Sequence, residues 1–65
     1  MKDQLVSIVI PTYNQPEYIL KAVESALIQD YEHLEVVVSD DSLNNETETK
    51  LQEYINTRKI KYIRN

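Results

Sequence analysis

The sequence predicts an α/β fold in which three parallel strands alternate with two helices. Three observations predict it. Leu5 to Ile10 and Leu34 to Val38 are short, largely β-branched apolar runs without clean alternation, as expected of strands in a parallel sheet covered on both faces. Between them Ile19, Ala22, Val23, Ala26 and Leu27 recur at helical spacing. Each run stops at a polar turn, and a second helix and a third short run follow. The expected architecture is βαβαβ with three layers, right-handed crossovers and strand order 3-2-1.

The first strand, Leu5-Val6-Ser7-Ile8-Val9-Ile10, ends at Pro11, which has no N–H to donate to a ladder. Pro11 to Gln15 then forms a loop. Pro16 presets φ for a first helical turn, with Asn14 or Gln15 before it as N-cap and Glu17 favourably placed for the helix dipole. The first helix is expected from about Pro16 to Gln29. Ala22 and Ala26 are small enough to let it lie close on the sheet.

After Asp30 to His33 comes the second strand, Leu34 to Ser39, which runs straight into Asp40 and Asp41. Asp40 to Asn45 is rich in turn and cap formers. A second helix is expected from about Glu46 to Thr57, with Leu51, Tyr54 and Ile55 as its apolar stripe. Its acidic start and basic end suit the macrodipole. Ile60 to Ile63 reads as a third strand.

Bulk properties narrow the function. Sixty-five residues are one domain at most, and residues 1–65 read as a single partial domain. A chain of this size buries only about 60% of its unfolded surface. With no cysteine there is no disulfide or thiolate metal site, and lone His33 cannot hold zinc by itself. The net charge of −4 and pI near 4.8 exclude the basic footprint of a nucleic-acid binder. The basic residues gather late, at Lys50, Arg58, Lys59, Lys61 and Arg64, and read as a solvated helix end and strand flank. No apolar run approaches the ~18 residues of a membrane span. Met1 to Gln4 is no signal peptide, so the chain reads as cytoplasmic. The absence of glycine removes both Gly-rich phosphate loops.

In a parallel sheet the turns after the first and second strands emerge at one edge, where ligands of open α/β sheets bind. Tyr13 and Asp41 can then face one crevice. A carboxylate accepts from a pyrimidine imide or a ribose diol, and a tyrosine offers a ring face and a hydroxyl. That chemistry fits nucleoside binding. The same residues also read as structural: Asp40 and Asp41 as caps, Tyr13 as a packed loop aromatic, Asn14 as a cap. As a metal site, two adjacent carboxylates lack a third ligand.

Pro11-Thr12-Tyr13-Asn14, Ser25-Ala26-Leu27-Ile28-Gln29, Tyr31 and Asp40-Asp41-Ser42 follow one another at spacings that together resemble the opening of the family 2 glycosyltransferases with the GT-A fold. The match covers about Leu5 to Ser42. The resemblance implies a Rossmann-like nucleotide-binding half, a nucleotide-sugar donor (a UDP-sugar) and a divalent metal, Mg or Mn, for the full-length parent. It places Pro11 and Tyr13 by the nucleoside, Asp41 on the base and Asp40 in support, so that Pro11, Tyr13, Asp40 and Asp41 form the expected nucleotide-binding set.

Two departures stand out. The family's Asp-Asp-Gly-Ser is Asp40-Asp41-Ser42-Leu43 here, so Ser42 or Leu43 must take whatever backbone shape the turn needs. The chain also ends before the Asp-x-Asp motif that holds metal and diphosphate, and before the catalytic base. It is therefore expected to contain no catalytic or metal-binding residue and to transfer no sugar alone. The rival expectations are a non-catalytic α/β module that binds a partner, or itself through an open sheet edge, and a receiver-like phosphoacceptor. The second places its paired acids after the first strand, not the second.

Overall fold

A computed structural model describes residues 5–29 and 33–65. Its elements are β1 (Val6–Thr12), α1 (Pro16–Ile28), β2 (Leu34–Asp40), α2 (Glu46–Lys50), α3 (Gln52–Asn56) and β3 (Lys61–Arg64). All three strands are parallel, and β2 lies between β1 and β3. The α/β class and the 3-2-1 order are as the sequence predicts. Tyr31 of the expected motif lies outside the described residues.

Register sets the geometry at both ends of the sheet. Val6 pairs with Leu34, Thr12 with Asp40, and Asp40 in turn with Arg64. The last residues of all three strands therefore stand in one row. His33 is at the other end, where its carbonyl accepts the Val6 N–H at 2.7 Å.

The core is one cluster on one side of the sheet. Ile19, Val23 and Ala26 of α1 pack with Val36 and Val38 of β2, Leu51 and Ile60, and Ile8 and Ile10 of β1 close over them. Strand alternation puts Ile8, Ile10, Val36 and Val38 on this face. On the opposite face Val9 and Ile63 are 61% and 45% exposed. The described residues thus supply two of the three expected layers. Two successive right-handed crossovers that advance in the same direction lay their helices on the same face. For the same reason β1 is not buried on both faces as its apolar run predicts: it is an edge strand, half-covered on its inner side only.

The second helix also differs from expectation. It is divided at Leu51, whose φ of −95° and ψ of 6° leave the helical well. The bonds from Leu51 N–H to Thr47 C=O and from Ile55 N–H to Leu51 C=O span the break, so α2 and α3 form a bent pair rather than separate helices. The Leu51 side chain is fully buried at the bend. Beyond α3, Lys59 N–H reaches Tyr54 C=O and Arg58 N–H reaches Ile55 C=O. This is the Schellman pattern. Arg58 holds the left-handed position at φ 59°, which glycine most often fills.

Candidate nucleotide-binding edge

The carboxyl ends of the strands bring the two sequence-predicted turns together. Asp41 N–H donates to Thr12 C=O at 3.0 Å, joining the turn after β2 to the end of β1. Two more bonds cross between the loops. Asn14 N–H donates to Ser42 Oγ at 2.8 Å, and Leu43 N–H donates to Asn14 Oδ1 at 2.9 Å. Asn14 is therefore no cap of α1. Gln15 holds the N-cap position, without a side-chain bond, and the Asn14 amide is turned toward the second loop. Asn14 has φ 50°, a left-handed value that asparagine tolerates better than most residues.

The missing glycine leaves no strain in the acidic turn. Ser42 and Leu43 are not among the residues with positive φ, so neither occupies glycine's region. Ser42 is buried, and its hydroxyl also lies 3.3 Å from Thr47 Oγ1 of α2. Glycine in its place has no atom to make either contact.

The four expected site residues separate into two groups. Pro11, Tyr13 and Asp41 are exposed, Tyr13 at 55%. Asp40 is fully buried. Its Oδ1 accepts the Ser42 N–H at 2.8 Å, and its Oδ2 accepts the Tyr62 hydroxyl at 2.5 Å. The Asn65 N–H donates to its backbone carbonyl. Burial alone pushes the Asp40 carboxyl up. The bonds from Ser42 and Tyr62 and the nearby Arg64 charge outweigh that, and the carboxyl is held below its ordinary value. Burial and the Asp40 carboxylate in turn push the Tyr62 hydroxyl up to about 12.

Two supporting side chains, Tyr62 and Arg64, carry no signal in the sequence. Tyr62 reads as an ordinary strand-flank aromatic until pairing places it beside β2. Arg64 donates from Nη2 to the carbonyls of Ser42 at 3.3 Å and Asn44 at 2.9 Å, and its Nη1 lies 3.6 Å from Glu48. It straps the acidic loop from the end of β3. Thr12 is buried with its hydroxyl unbonded. The Ser42 hydroxyl was within reach of sequence reasoning, because it stands at the motif's glycine.

Among the described residues no group of three or more His, Cys, Asp or Glu could hold a metal ion. Both Asp40 oxygens already serve the turn, so the Asp40–Asp41 pair does not offer the oxygen set a divalent cation needs. No described helix is long and apolar enough to cross a membrane.

Residues 7–65 match the model of glycosyl transferase family 2. Chondroitin synthase of Escherichia coli is 47% identical over 60 residues, 91% of this chain and 9% of that protein. Protein CgeD of Bacillus subtilis (strain 168) is 39% identical over 57 residues, 88% of this chain and 13% of its own length. The UDP-Glc:alpha-D-GlcNAc-diphosphoundecaprenol beta-1,3-glucosyltransferase WfgD of Escherichia coli is 38% identical over 65 residues, the whole of this chain and 25% of WfgD. The chain thus spans a quarter or less of the length of each of these relatives. With the family model covering both turns and all three strands, this chain belongs to glycosyl transferase family 2.

Proposed function

We propose that the chain forms the nucleoside-binding part of a nucleotide-sugar donor site, with UDP-sugars as the donor class. The reaction it serves is attack of an acceptor hydroxyl on the anomeric carbon of the donor, with the nucleoside diphosphate as leaving group. The observation that carries the reading is the pairing of two exposed groups, Tyr13 and Asp41, on loops bonded to each other at one sheet edge. The Asp41 carboxylate accepts from the base imide, and the Tyr13 ring lies against the nucleoside. Pro11, exposed near the end of β1, stands two residues before Tyr13 on the same approach to the nucleoside. Asp40 acts behind them as the support of the turn, a role its burial favours. The relative WfgD is named for a UDP-glucose donor, which supports the choice of nucleotide.

A Mg or Mn ion bound by residues outside this chain would neutralise charge on the departing diphosphate. By itself the chain binds the nucleoside weakly and transfers no sugar.

The test is a titration of the chain with UDP followed by backbone amide shifts. The expected shifts cluster at Tyr13 and Asp41 and vanish in Asp41→Ala. Shifts spread evenly over the chain, or unchanged in that variant, overturn the assignment.

A further inference from the structure

We propose that Asn14 and Ser42 are positioning residues of the nucleoside site, and that their reciprocal clamp sets the placement of Tyr13 relative to Asp41. The inference rests on the nucleoside reading and extends it to two residues whose side chains bond the opposite loop.

The clamp brackets both ligand-facing residues. Tyr13 lies between Thr12, whose carbonyl accepts from Asp41 N–H, and Asn14, whose N–H donates to Ser42 Oγ. Asp41 lies between Asp40, whose carboxylate accepts from Ser42 N–H, and Ser42 itself. Leu43 N–H closes the ring of contacts on Asn14 Oδ1. Each of the two exposed side chains therefore stands on a backbone fixed on both sides by bonds to the other loop or to the buried carboxylate. Remove the clamp and the single Asp41–Thr12 bond is left to hold the loops together. A site built from two loops loses affinity when its parts must be ordered by the ligand.

The clamp also accounts for the departure from the motif glycine. A serine hydroxyl can accept from Asn14 N–H, and glycine cannot. The left-handed backbone of Asn14 aims its N–H and its side chain at the same partner loop. That conformation separates two contributions by mutation. Asn14→Gly keeps the backbone shape and deletes the Oδ1 acceptor. Asn14→Asp restores an acceptor.

The experiment measures amide hydrogen exchange without ligand and UDP affinity from amide shifts, on the same samples. In Asn14→Gly, exchange at Leu43 is expected to rise, and UDP affinity to fall by roughly tenfold, the scale of one or two net hydrogen bonds. In Asn14→Asp both return to within about twofold of the starting values. Ser42→Gly is read at the Asn14 amide, which loses its acceptor, and serves if Asn14→Gly melts early. The proposal is overturned if exchange at the amide that lost its acceptor is unchanged, or if it rises while UDP binds as before. Wild-type chain that binds no UDP overturns the nucleoside reading and this role together. Wild-type chain that binds UDP, with affinity unaltered in both glycine variants, overturns the clamp alone.

Discussion

Tyr62 of β3 donates its hydroxyl to Oδ2 of Asp40, the buried last residue of β2, at 2.5 Å. The strand farthest along the chain thereby completes the turn that follows the middle strand. Tyr62 pairs with Val38 in register, two residues before Asp40, so the hydroxyl reaches along the sheet toward its carboxyl end. The acidic turn is thus held from three sides: by β1 through Thr12, by β3 through Tyr62 and Arg64, and by its own Ser42.

Tyr62→Phe removes one hydroxyl and leaves a buried carboxylate oxygen without its donor. The expected loss is about 1–3 kcal/mol of unfolding free energy. Urea denaturation monitored by circular dichroism measures it. A loss below about 0.5 kcal/mol, the range of ordinary surface changes, shows that the bond does not support the turn.

Adjacent Asp40 and Asp41 are expected to respond oppositely to substitution. Asp40→Ala leaves the Tyr62 hydroxyl and the Ser42 N–H unpartnered, at a cost of about 2–6 kcal/mol for the two donors. Asp41→Ala changes an exposed side chain and stays within about 0.5 kcal/mol of wild type. Thermal melts of the two variants side by side decide it. Equal destabilisation contradicts the division of roles.

The pH dependence has two limbs with known signs. The Asp40 carboxyl is lowered from its ordinary 3.8 in the folded chain, so its contribution is present above that pH and fades as acid protonates the folded carboxylate. Tyr62 is raised from 10.0 to about 12, so its contribution is complete below pH 10 and fades as pH rises through that interval. Unfolding free energy measured against pH is expected to fall at both ends. In Tyr62→Phe the alkaline limb shrinks, and the acid limb shrinks too because Asp40 loses one cause of its depression.

Arg58 offers a test on the stabilising side. An L-residue in the left-handed region costs roughly 1–2 kcal/mol, and glycine's greater unfolded freedom returns roughly 0.5–1 kcal/mol of that. Arg58→Gly is therefore expected to stabilise the chain by about 0.5–1 kcal/mol, read as a raised midpoint in urea. A lowered midpoint means that the Arg58 side chain contributes more than its backbone costs.

Composition and spacing alone determined the α/β class, the extent of α1 and the existence of both turns. These depend on local rules: apolar runs that stop at Pro11 and at Asp40, and a helical stripe from Ile19 to Leu27. The ordered motifs also carried the family, because Pro-Thr-Tyr-Asn and Asp-Asp-Ser at that separation are readable without coordinates. Layering was not legible, since an apolar run such as Leu5 to Ile10 reads the same whether one face is covered or two. Nor was the division between Asp40 and Asp41. Two neighbouring aspartates are chemically alike in the sequence. They differ in the fold because alternation along β2 turns Asp40 inward, beneath Tyr62 and Ser42, and the turn leaves Asp41 in solvent. Partners 22 residues away for Asp40, and 28 and 29 residues away for the Asn14 clamp, exist only once the strands have paired.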